Sequence, residues 1–327
     1  MEKNELIAFA ERIISGNLPE EEEFKTLIHI PLERVFDMMA GADMIREASF
    51  KNEVHLCTIL NAKSGRCSED CFFCSQSASA GTDAPVYSLM ANEKIRTGAL
   101  KAAECGINRY SIVTSGKRLP KKEVALVAEA MGGMDPRRVG LCASLGIIDR
   151  EDFALLKEAG MTRYHHNLET SESFFPKICT THTYKERVDT IMAAKELGLS
   201  LCVGGLFGMG ETDEQVMELA MAIRRLDVDS VPINFLTPIN GTRLESARHL
   251  SPARCLKIIS MFRYVLPDKD ILVCGGRETN LRELHPFVFQ AGASGLMTGN
   301  YLTTKGRTFE QDLKMIEDLG LSLRQTP

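Results

Sequence analysis

The chain has 327 residues, of which 44% are hydrophobic and 25% charged, and its formal net charge is -5. This length suits one α/β barrel or two smaller domains, and the negative charge argues against nucleic acid as a partner. No apolar stretch approaches the roughly 20 residues that cross a bilayer, and the first residues are too charged to begin a secretory signal. We therefore expect a cytoplasmic protein, not bound to a membrane, whose ten cysteines stay reduced and whose partner is a small molecule.

Short apolar strands and amphipathic helices alternate from about residue 50 to the C-terminus. The helices are predicted at 93–105, 121–131, 149–159, 184–197, 213–226 and 252–265, and several of them end in a glycine C-cap. The strands are predicted at 54–60, 108–113, 138–144, 161–168, 199–206, 230–235, 270–275 and 294–298. Such an alternation predicts a (β/α)8 TIM-type barrel over 51–327, with the active site at the carboxyl ends of its strands. Residues 1–50 lack strand-like runs and predict an N-terminal extension of two or three helices.

Cys67, Cys71 and Cys74 follow the first predicted strand within one short segment. A C-x3-C-x2-C spacing supplies thiolates for three corners of a 4Fe-4S cluster and leaves the fourth iron open, as a catalytic metal site requires. Two other interpretations stay open at this point. The segment is a zinc knuckle without a local fourth ligand, or the spacing arises by chance among ten cysteines.

A second group of cysteines lies within the predicted strands. Cys57, Cys142, Cys202 and Cys274 fall in the first, third, fifth and seventh strands. In a barrel of this kind, inward side chains form layers that alternate strands contribute, so these four thiols are expected to converge and form a four-thiolate site. The alternative is that each is a small apolar filler of the core. Cys105, Cys179 and Cys255 lie on or near helices and are expected to be packing residues.

The cysteine spacing, with the aromatic Phe73 before the third cysteine, resembles the radical S-adenosylmethionine (SAM) superfamily. In that family the open iron binds the amino and carboxylate groups of SAM. One electron from the reduced cluster then splits SAM into methionine and a 5'-deoxyadenosyl radical. Longer stretches resemble the biotin synthases, which insert sulfur into dethiobiotin. The matching stretches are residues 164–171, 180–190, 204–212, 230–236, 241–242 and 302–304.

The resemblance implies a role for particular side chains. Cys67, Cys71 and Cys74 are implied as the catalytic cluster ligands, with Phe73 beside SAM. Asn167 and Glu169 are implied to bond the SAM ribose, and Arg187 to reach the SAM carboxylate. Asn234, together with Asn167, is implied to hold the ureido ring of dethiobiotin. Thr303 and Thr304 are implied to lie at its carboxylate tail.

The chain departs from the family at its second cluster. Biotin synthases bind an auxiliary 2Fe-2S cluster through three cysteines and one arginine. Only Cys142 and Cys202 match those positions, and the other two are Ser111 and Leu272. A cluster at these positions would be half-ligated, so the protein either has no auxiliary cluster or binds a different one. Cys57 and Cys274 are additional thiols that restore four ligands. We therefore predict an auxiliary iron-sulfur cluster, of the four-iron type, held by Cys57, Cys142, Cys202 and Cys274.

The resemblance also implies partners and leaves two rival functions. The implied partners are dethiobiotin, a flavodoxin- or ferredoxin-type electron donor, iron-sulfur assembly proteins and a second copy of the chain in a homodimer. One rival is another radical SAM enzyme of the same subgroup, such as a hydrogenase maturase or methylornithine synthase. The other is a non-catalytic iron-sulfur carrier, which is expected to bind no SAM.

Overall fold

Parallel strands close into a barrel in the computed structural model, which describes residues 1–325. The strands are β1 (Glu53–Lys63), β2 (Arg109–Thr114), β3 (Gly140–Ser144), β4 (Arg163–His165), β5 (Ser200–Cys202), β6 (Gly205–Phe207), β7 (Ser230–Phe235), β8 (Asp270–Val273) and β9 (Gly295–Met297). They pair in the order of the chain except that β5 and β6 both pair with β7 and not with each other, and β9 returns to pair with β1. The predicted (β/α)8 barrel is confirmed.

The fifth strand of the barrel is divided into two pieces, which the sequence does not predict. We expected one strand over 199–206, but β5 and β6 are separated at Val203 and Gly204. A Cβ atom on Gly204 would lie 1.9 Å from the carbonyl oxygen of Pro232, so only glycine permits this close approach of the two backbones. Beyond the interruption, β6 resumes pairing with β7 through Gly205 and Ile233.

Six helices of the barrel lie where the sequence predicts them, from residue 92 to residue 265, whereas the two helices after residue 276 were not predicted. The helices are α1 (Lys3–Ile14), α2 (Glu21–Phe24), α3 (Val35–Phe50), α4 (Asn92–Glu104), α5 (Lys121–Gly132), α6 (Arg150–Glu158), α7 (Tyr184–Glu196), α8 (Asp213–Leu226), α9 (Pro252–Val265), α10 (Arg277–Leu281) and α11 (Phe309–Asp318). Short 3-10 turns lie at Lys25–His29, Leu32–Arg34, Phe175–Lys177 and Arg282–Val288. Among residues 1–325, no helix has the length and apolar character that crossing a membrane demands.

The N-terminal helices pack against α9. The hydroxyl of Tyr264 on α9 donates to the carbonyl oxygens of Leu6 and Met38, each at 3.3 Å. Gly41 leaves room for this ring, because a Cβ there would lie 1.9 Å from the Tyr264 hydroxyl oxygen. The extension therefore buries a helix that would otherwise face water, and α9 is buried along its length from residue 255 to 265.

A short C-terminal strand, β10 (Ser322–Leu323), pairs with the start of β1. Immediately after it, Arg324 forms a bidentate salt bridge with Asp270 at the start of β8, with both distances 3.0 Å. These contacts fasten the C-terminal segment to the end of the barrel opposite the carboxyl ends of the strands.

Candidate active site

One cavity of about 410 Å³ contains every site residue that the sequence predicts. Its lining includes the three thiols that follow β1, the amide, carboxylate and guanidinium groups implied to bind SAM, and the four thiols of the strands. The predicted residues that line it are Cys57, Cys67, Cys71, Phe73, Cys74, Cys142, Asn167, Glu169, Arg187, Cys202, Asn234, Cys274, Thr303 and Thr304. Residues from strand ends and from distant loops thus share one chamber.

The segment 64–78, here called the cluster loop, carries Cys67, Cys71 and Cys74, here called the loop thiols. The loop is folded on itself: the Cys67 amide donates to the carbonyl of Gln76, and the Ala78 amide donates back to the carbonyl of Cys67. The Phe72 amide donates to the carbonyl of Ile178, which ties the loop to the segment before α7. The loop backbone is therefore held in place by its own hydrogen bonds and by this neighbour.

The loop thiols lie in surroundings that favour a metal over free thiolates. Burial raises the pKa of Cys67, and burial raises the pKa of Cys74 to about 11. The neighbouring Cys179, followed by burial, raises the pKa of Cys71 well above its usual range. None of the three forms a disulfide. Three crowded, desolvated thiols become thiolates when a cation is bound among them, so these residues fit a 4Fe-4S cluster.

Two residues beside the cluster loop were given no role in the site by the sequence analysis. Cys179 was expected only to pack, and it does lie in a small apolar group with Phe174, Phe175 and Ile178. Its Sγ atom is also 3.9 Å from that of Cys71, and hydrogen bonding with Cys71 lowers the pKa of Cys179 to about 4. His182 is buried close by, and Cys71, Cys179 and His182 place one ligand atom each within 4.8 Å of one another. Cys179 and His182 have a local C-x2-H spacing, but Cys71 lies more than 100 residues away, so the sequence alone does not signal the group of three.

Asn167, Glu169 and Arg187, implied to bind SAM, contact one another. Arg187 Nη1 donates to the Asn167 carbonyl oxygen at 2.8 Å and lies 3.5 Å from Glu169 Oε1. Glu169 has a φ of 69°, a left-handed conformation that a side chain with a Cβ rarely adopts. Its backbone is held there because the Leu206 amide donates to its carbonyl oxygen. Strained residues of this kind gather at functional sites.

Asn234, implied to bind the substrate, stands near the end of β7. Its Oδ1 accepts from the Gly275 amide at 3.0 Å, and its Nδ2 donates to the Gly205 carbonyl at 3.2 Å. An amide group has two acceptor sites and two N-H donors, so one of each stays available to a cyclic urea. Thr303 and Thr304 line the same cavity, and the Thr303 hydroxyl lies 3.0 Å from that of Ser75 in the cluster loop.

The strand cysteines, here called the auxiliary thiols, are Cys57, Cys142, Cys202 and Cys274, and the barrel brings them together. Burial raises the pKa of Cys202 to about 12, and the thiols of Cys57 and Cys142 contribute to that rise. Cys57 contributes most to raising the pKa of Cys274. Cys274 lies one residue beyond β8 rather than within it, while its amide still donates to the Ile233 carbonyl of β7.

Buried polar atoms without partners line the same cavity as the auxiliary thiols. Among the described residues, atoms that line the cavity and lack a hydrogen-bond partner include both ring nitrogens of His55, Nε of Arg109, the Ser111 hydroxyl and Nη1 of Arg163. Arg109 Nη1 lies 3.8 Å from Cys142 Sγ, and His165 Nδ1 lies 3.3 Å from Cys202 Sγ. Buried donors in native proteins are nearly always satisfied. Four thiols that share a cavity with such donors fit an anionic iron-sulfur cluster.

Comparison with known proteins identifies the family of this chain. Residues 62–223 match the Radical SAM superfamily, and residues 232–322 match the Biotin and Thiamin Synthesis associated domain. The chain is 57% identical over 322 residues to the biotin synthase of Desulfatibacillum aliphaticivorans, and the match covers 98% of each chain. It is 49% identical over 320 residues to the biotin synthase of Geobacter metallireducens, and that match covers 97% of each.

Solved structures share the fold at much lower sequence identity. A methylornithine synthase superposes with a TM-score of 0.83 at 22% identity, covering 97% of this chain and 98% of that one. The FeFe-hydrogenase maturase of Carboxydothermus hydrogenoformans superposes with a TM-score of 0.81 at 16% identity, covering 98% of this chain and 79% of that one. These two likenesses support the barrel alone, whereas the full-length identities decide the family. The chain belongs to the biotin synthase family of radical SAM enzymes.

Proposed function

We propose that this protein inserts sulfur into dethiobiotin to form biotin, and that the sulfur comes from a four-iron auxiliary cluster on Cys57, Cys142, Cys202 and Cys274. The observation that carries the proposal is that these auxiliary thiols and the loop thiols line the same cavity. When bound, a reduced 4Fe-4S cluster with SAM supplies a 5'-deoxyadenosyl radical, and the auxiliary cluster supplies sulfide. The chain's own residues position SAM, dethiobiotin and the sulfur donor relative to one another.

The strand registers support an order of reactants along the barrel. Cys202 is level with Ser230, whereas Asn234 lies four residues further along β7, which is about 13 Å nearer the carboxyl end. His165 is level with Cys202, and Asn167 lies beyond it in the same direction. The two amides proposed to hold the ureido ring therefore lie on the mouth side of Cys202, toward the cluster loop. This arrangement suits a substrate that passes hydrogen to one side and receives sulfur from the other.

Apolar side chains in the wall of the same cavity would shield the reacting carbon from water. Three leucine side chains line the cavity near the cluster loop: Leu206, Leu236 and Leu302. Leu206 also packs against the apolar group that contains Phe174. A carbon radical reacts with whatever it meets, so an apolar wall protects the intermediate until sulfur is reached. Arg187 and Glu169 hold opposite charges beside each other and suit the amino acid and ribose parts of SAM.

Anaerobic reconstitution tests both parts of the proposal. The protein should carry about eight iron atoms, and Mössbauer spectra should divide them between two four-iron clusters. Cys274→Ser should lose the auxiliary spectrum alone, while Cys105→Ser, which alters a thiol at the end of α4, should retain both. An iron content near four in the wild-type protein would contradict the auxiliary cluster.

Activity separates the proposal from the rival radical SAM functions. Reduced protein given SAM and dethiobiotin should release biotin, and sulfide labelled with ³⁴S in the reconstituted clusters should appear in the product. Cleavage of SAM without conversion of dethiobiotin would favour a different reaction of the same subgroup. A cluster spectrum that SAM leaves unchanged would favour a carrier.

The proposal also includes the protein partners and the oligomeric state. A flavodoxin or ferredoxin in the cytoplasm donates the electrons, assembly proteins rebuild the sulfur donor, and two copies of the chain form a dimer. Sedimentation of the reconstituted protein tests the dimer. Stoichiometric reduction by a purified flavodoxin or ferredoxin tests the electron donor.

A further inference from the structure

A buried chain of polar contacts links the cluster loop to Arg187. Glu69, between Cys67 and Cys71, places Oε2 2.6 Å from Nδ1 of His182. On the other edge of the ring, Arg187 Nε donates to His182 Nε2 at 3.0 Å. The exposed fractions of the three side chains are 8% for Glu69, 3% for His182 and 11% for Arg187. His182 is therefore a bridge between an anion in the loop and a cation in the cavity.

Three groups face the imidazole: Arg187 at Nε2, and Glu69 together with Cys179 Sγ, 3.2 Å away, at Nδ1. A sulfur atom can accept from the same N-H as the carboxylate, so Arg187 and Glu69 decide where the proton lies. A guanidinium only donates hydrogen bonds, so Nε2 must accept and carry no hydrogen. An ionised carboxylate only accepts, so Nδ1 must carry the hydrogen. Hydrogen bonds from Thr181 Oγ1 at 2.8 Å and Ser68 Oγ at 3.0 Å hold the Glu69 carboxylate in place. The neutral Nδ1-H form of His182 is the form that satisfies both partners.

The remaining contacts hold the guanidinium of Arg187 on its other sides. Nη1 donates to the Asn167 carbonyl oxygen and lies 3.5 Å from Glu169 Oε1. The guanidinium carbon lies 5.7 Å from the centre of the Phe175 ring. Phe175 also packs edge-on against His182, with ring centroids 5.6 Å apart. Within residues 1–325, Nη2 of Arg187 has no hydrogen-bond partner, and the side chain lines the cavity. A fixed, unpaired N-H2 group at that wall is a binding point for a carboxylate.

We propose that His182 is a positioning residue that aims Arg187 at the carboxylate of SAM, and that Glu69 fixes the tautomer this requires. The inference rests on the proposed function, because it takes SAM as the ligand of Arg187. The cluster loop and the carboxylate site are then connected. Glu69 in the loop holds His182, and His182 holds Arg187, which orients the carboxylate of SAM.

The test compares two ligands on reconstituted, oxidised holoprotein, in which SAM binds without being cleaved. SAM has the carboxylate, whereas 5'-methylthioadenosine has the adenosine and sulfur without it. His182→Phe keeps the ring that packs on Phe175 and removes both nitrogens. It should weaken SAM binding roughly tenfold, the cost of a misaligned charge-assisted hydrogen bond, and leave 5'-methylthioadenosine binding unchanged. His182→Gln, whose amide offers one donor and one acceptor, should restore most of the SAM affinity.

Arg187→Met is the reference for these measurements, made by anaerobic calorimetry on variants with wild-type iron content. If Arg187→Met weakens SAM selectively and His182→Phe binds SAM like the wild type, the positioning role is overturned while the role of Arg187 stands. If Arg187→Met weakens both ligands equally, the carboxylate assignment fails and the inference fails with it. If His182→Phe does not accept its clusters, His182→Gln and Glu69→Leu are measured in its place. Wild-type affinity for SAM in Glu69→Leu would overturn the tautomer argument.

Discussion

The loop thiols and the auxiliary thiols reach the same cavity by different routes. The loop thiols lie between residues 67 and 74, and their loop is shaped by hydrogen bonds within itself, such as that from the Cys67 amide to Gln76. The auxiliary thiols are spread from residue 57 to residue 274 and meet only because the barrel closes. A site of the first kind depends on local backbone, and one of the second kind on the register of many strands. Changes to the barrel should therefore affect the auxiliary site first.

The largest effect is expected from removing a loop thiol. Cys74→Ser should abolish SAM cleavage, because the first cluster loses one of its three protein ligands, and iron should fall by about half. Chromatographic measurement of 5'-deoxyadenosine in reduced protein checks this result. Cys105→Ser is the matched control and should cleave SAM normally. Undiminished cleavage in Cys74→Ser would show that the loop does not hold the reactive cluster.

Removing an auxiliary thiol should separate the two sites. Cys142→Ser is expected to abolish biotin formation but to leave SAM cleavage intact, because the loop thiols do not depend on β3. Parallel assays of 5'-deoxyadenosine and biotin on the same preparation measure both outcomes. If both reactions are lost together, the two sites are not independent and the comparison fails.

A change in the barrel backbone tests the dependence on register. Gly204→Ala places a Cβ 1.9 Å from the Pro232 carbonyl oxygen and should lower the free energy of unfolding by about 2 kcal/mol. It should also reduce auxiliary iron more than loop iron, since Cys202 lies two residues away. Denaturant unfolding and Mössbauer spectra measure the two effects. Gly132→Ala in α5 meets nothing within 4 Å and serves as the control.

The smallest effect concerns the charge beside the auxiliary thiols. Arg109→Met removes a cation 3.8 Å from Cys142 Sγ. The loss of this positive charge disfavours the reduced cluster, which is the more negative of the two states. The reduction potential of the auxiliary cluster should fall by about 60 mV, a tenfold change in a one-electron equilibrium. Redox titration followed by electron paramagnetic resonance measures this shift. Arg137→Met, whose side chain is 89% exposed, should leave the potential unchanged.

The sequence predicts the barrel well because alternation of strands and helices is a repeated local pattern. Helices α8 and α9 have the predicted bounds, and the first strand contains the predicted range. The division between β5 and β6 was missed because Val203 and Gly204 continue an apolar run, and the close approach that requires glycine there involves Pro232 on the next strand. The short β10 was also missed, since two residues carry no periodicity.

The candidate site shows the same difference between features set by local sequence and features set by distant contacts. The site residues named from the cluster motif and from the family resemblance all line the cavity. Local spacing was sufficient for the three loop thiols, whereas the SAM and substrate residues were implied by the resemblance. The Glu69–His182 contact joins residues that lie far apart in the sequence, and each looks like an ordinary loop residue by itself. Cys179 was expected to pack, and it does, but its proximity to Cys71 depends on how two loops meet.

The backbone of Glu169 has a consequence for how this protein tolerates change. A left-handed φ of 69° is unfavourable for glutamate by roughly 1 kcal/mol and costs glycine almost nothing. Glu169→Gly would relieve that cost and remove the carboxylate from the cavity wall. Selection for thermal stability alone would thus favour glycine at this position, whereas the proposed contact with SAM requires the carboxylate of glutamate.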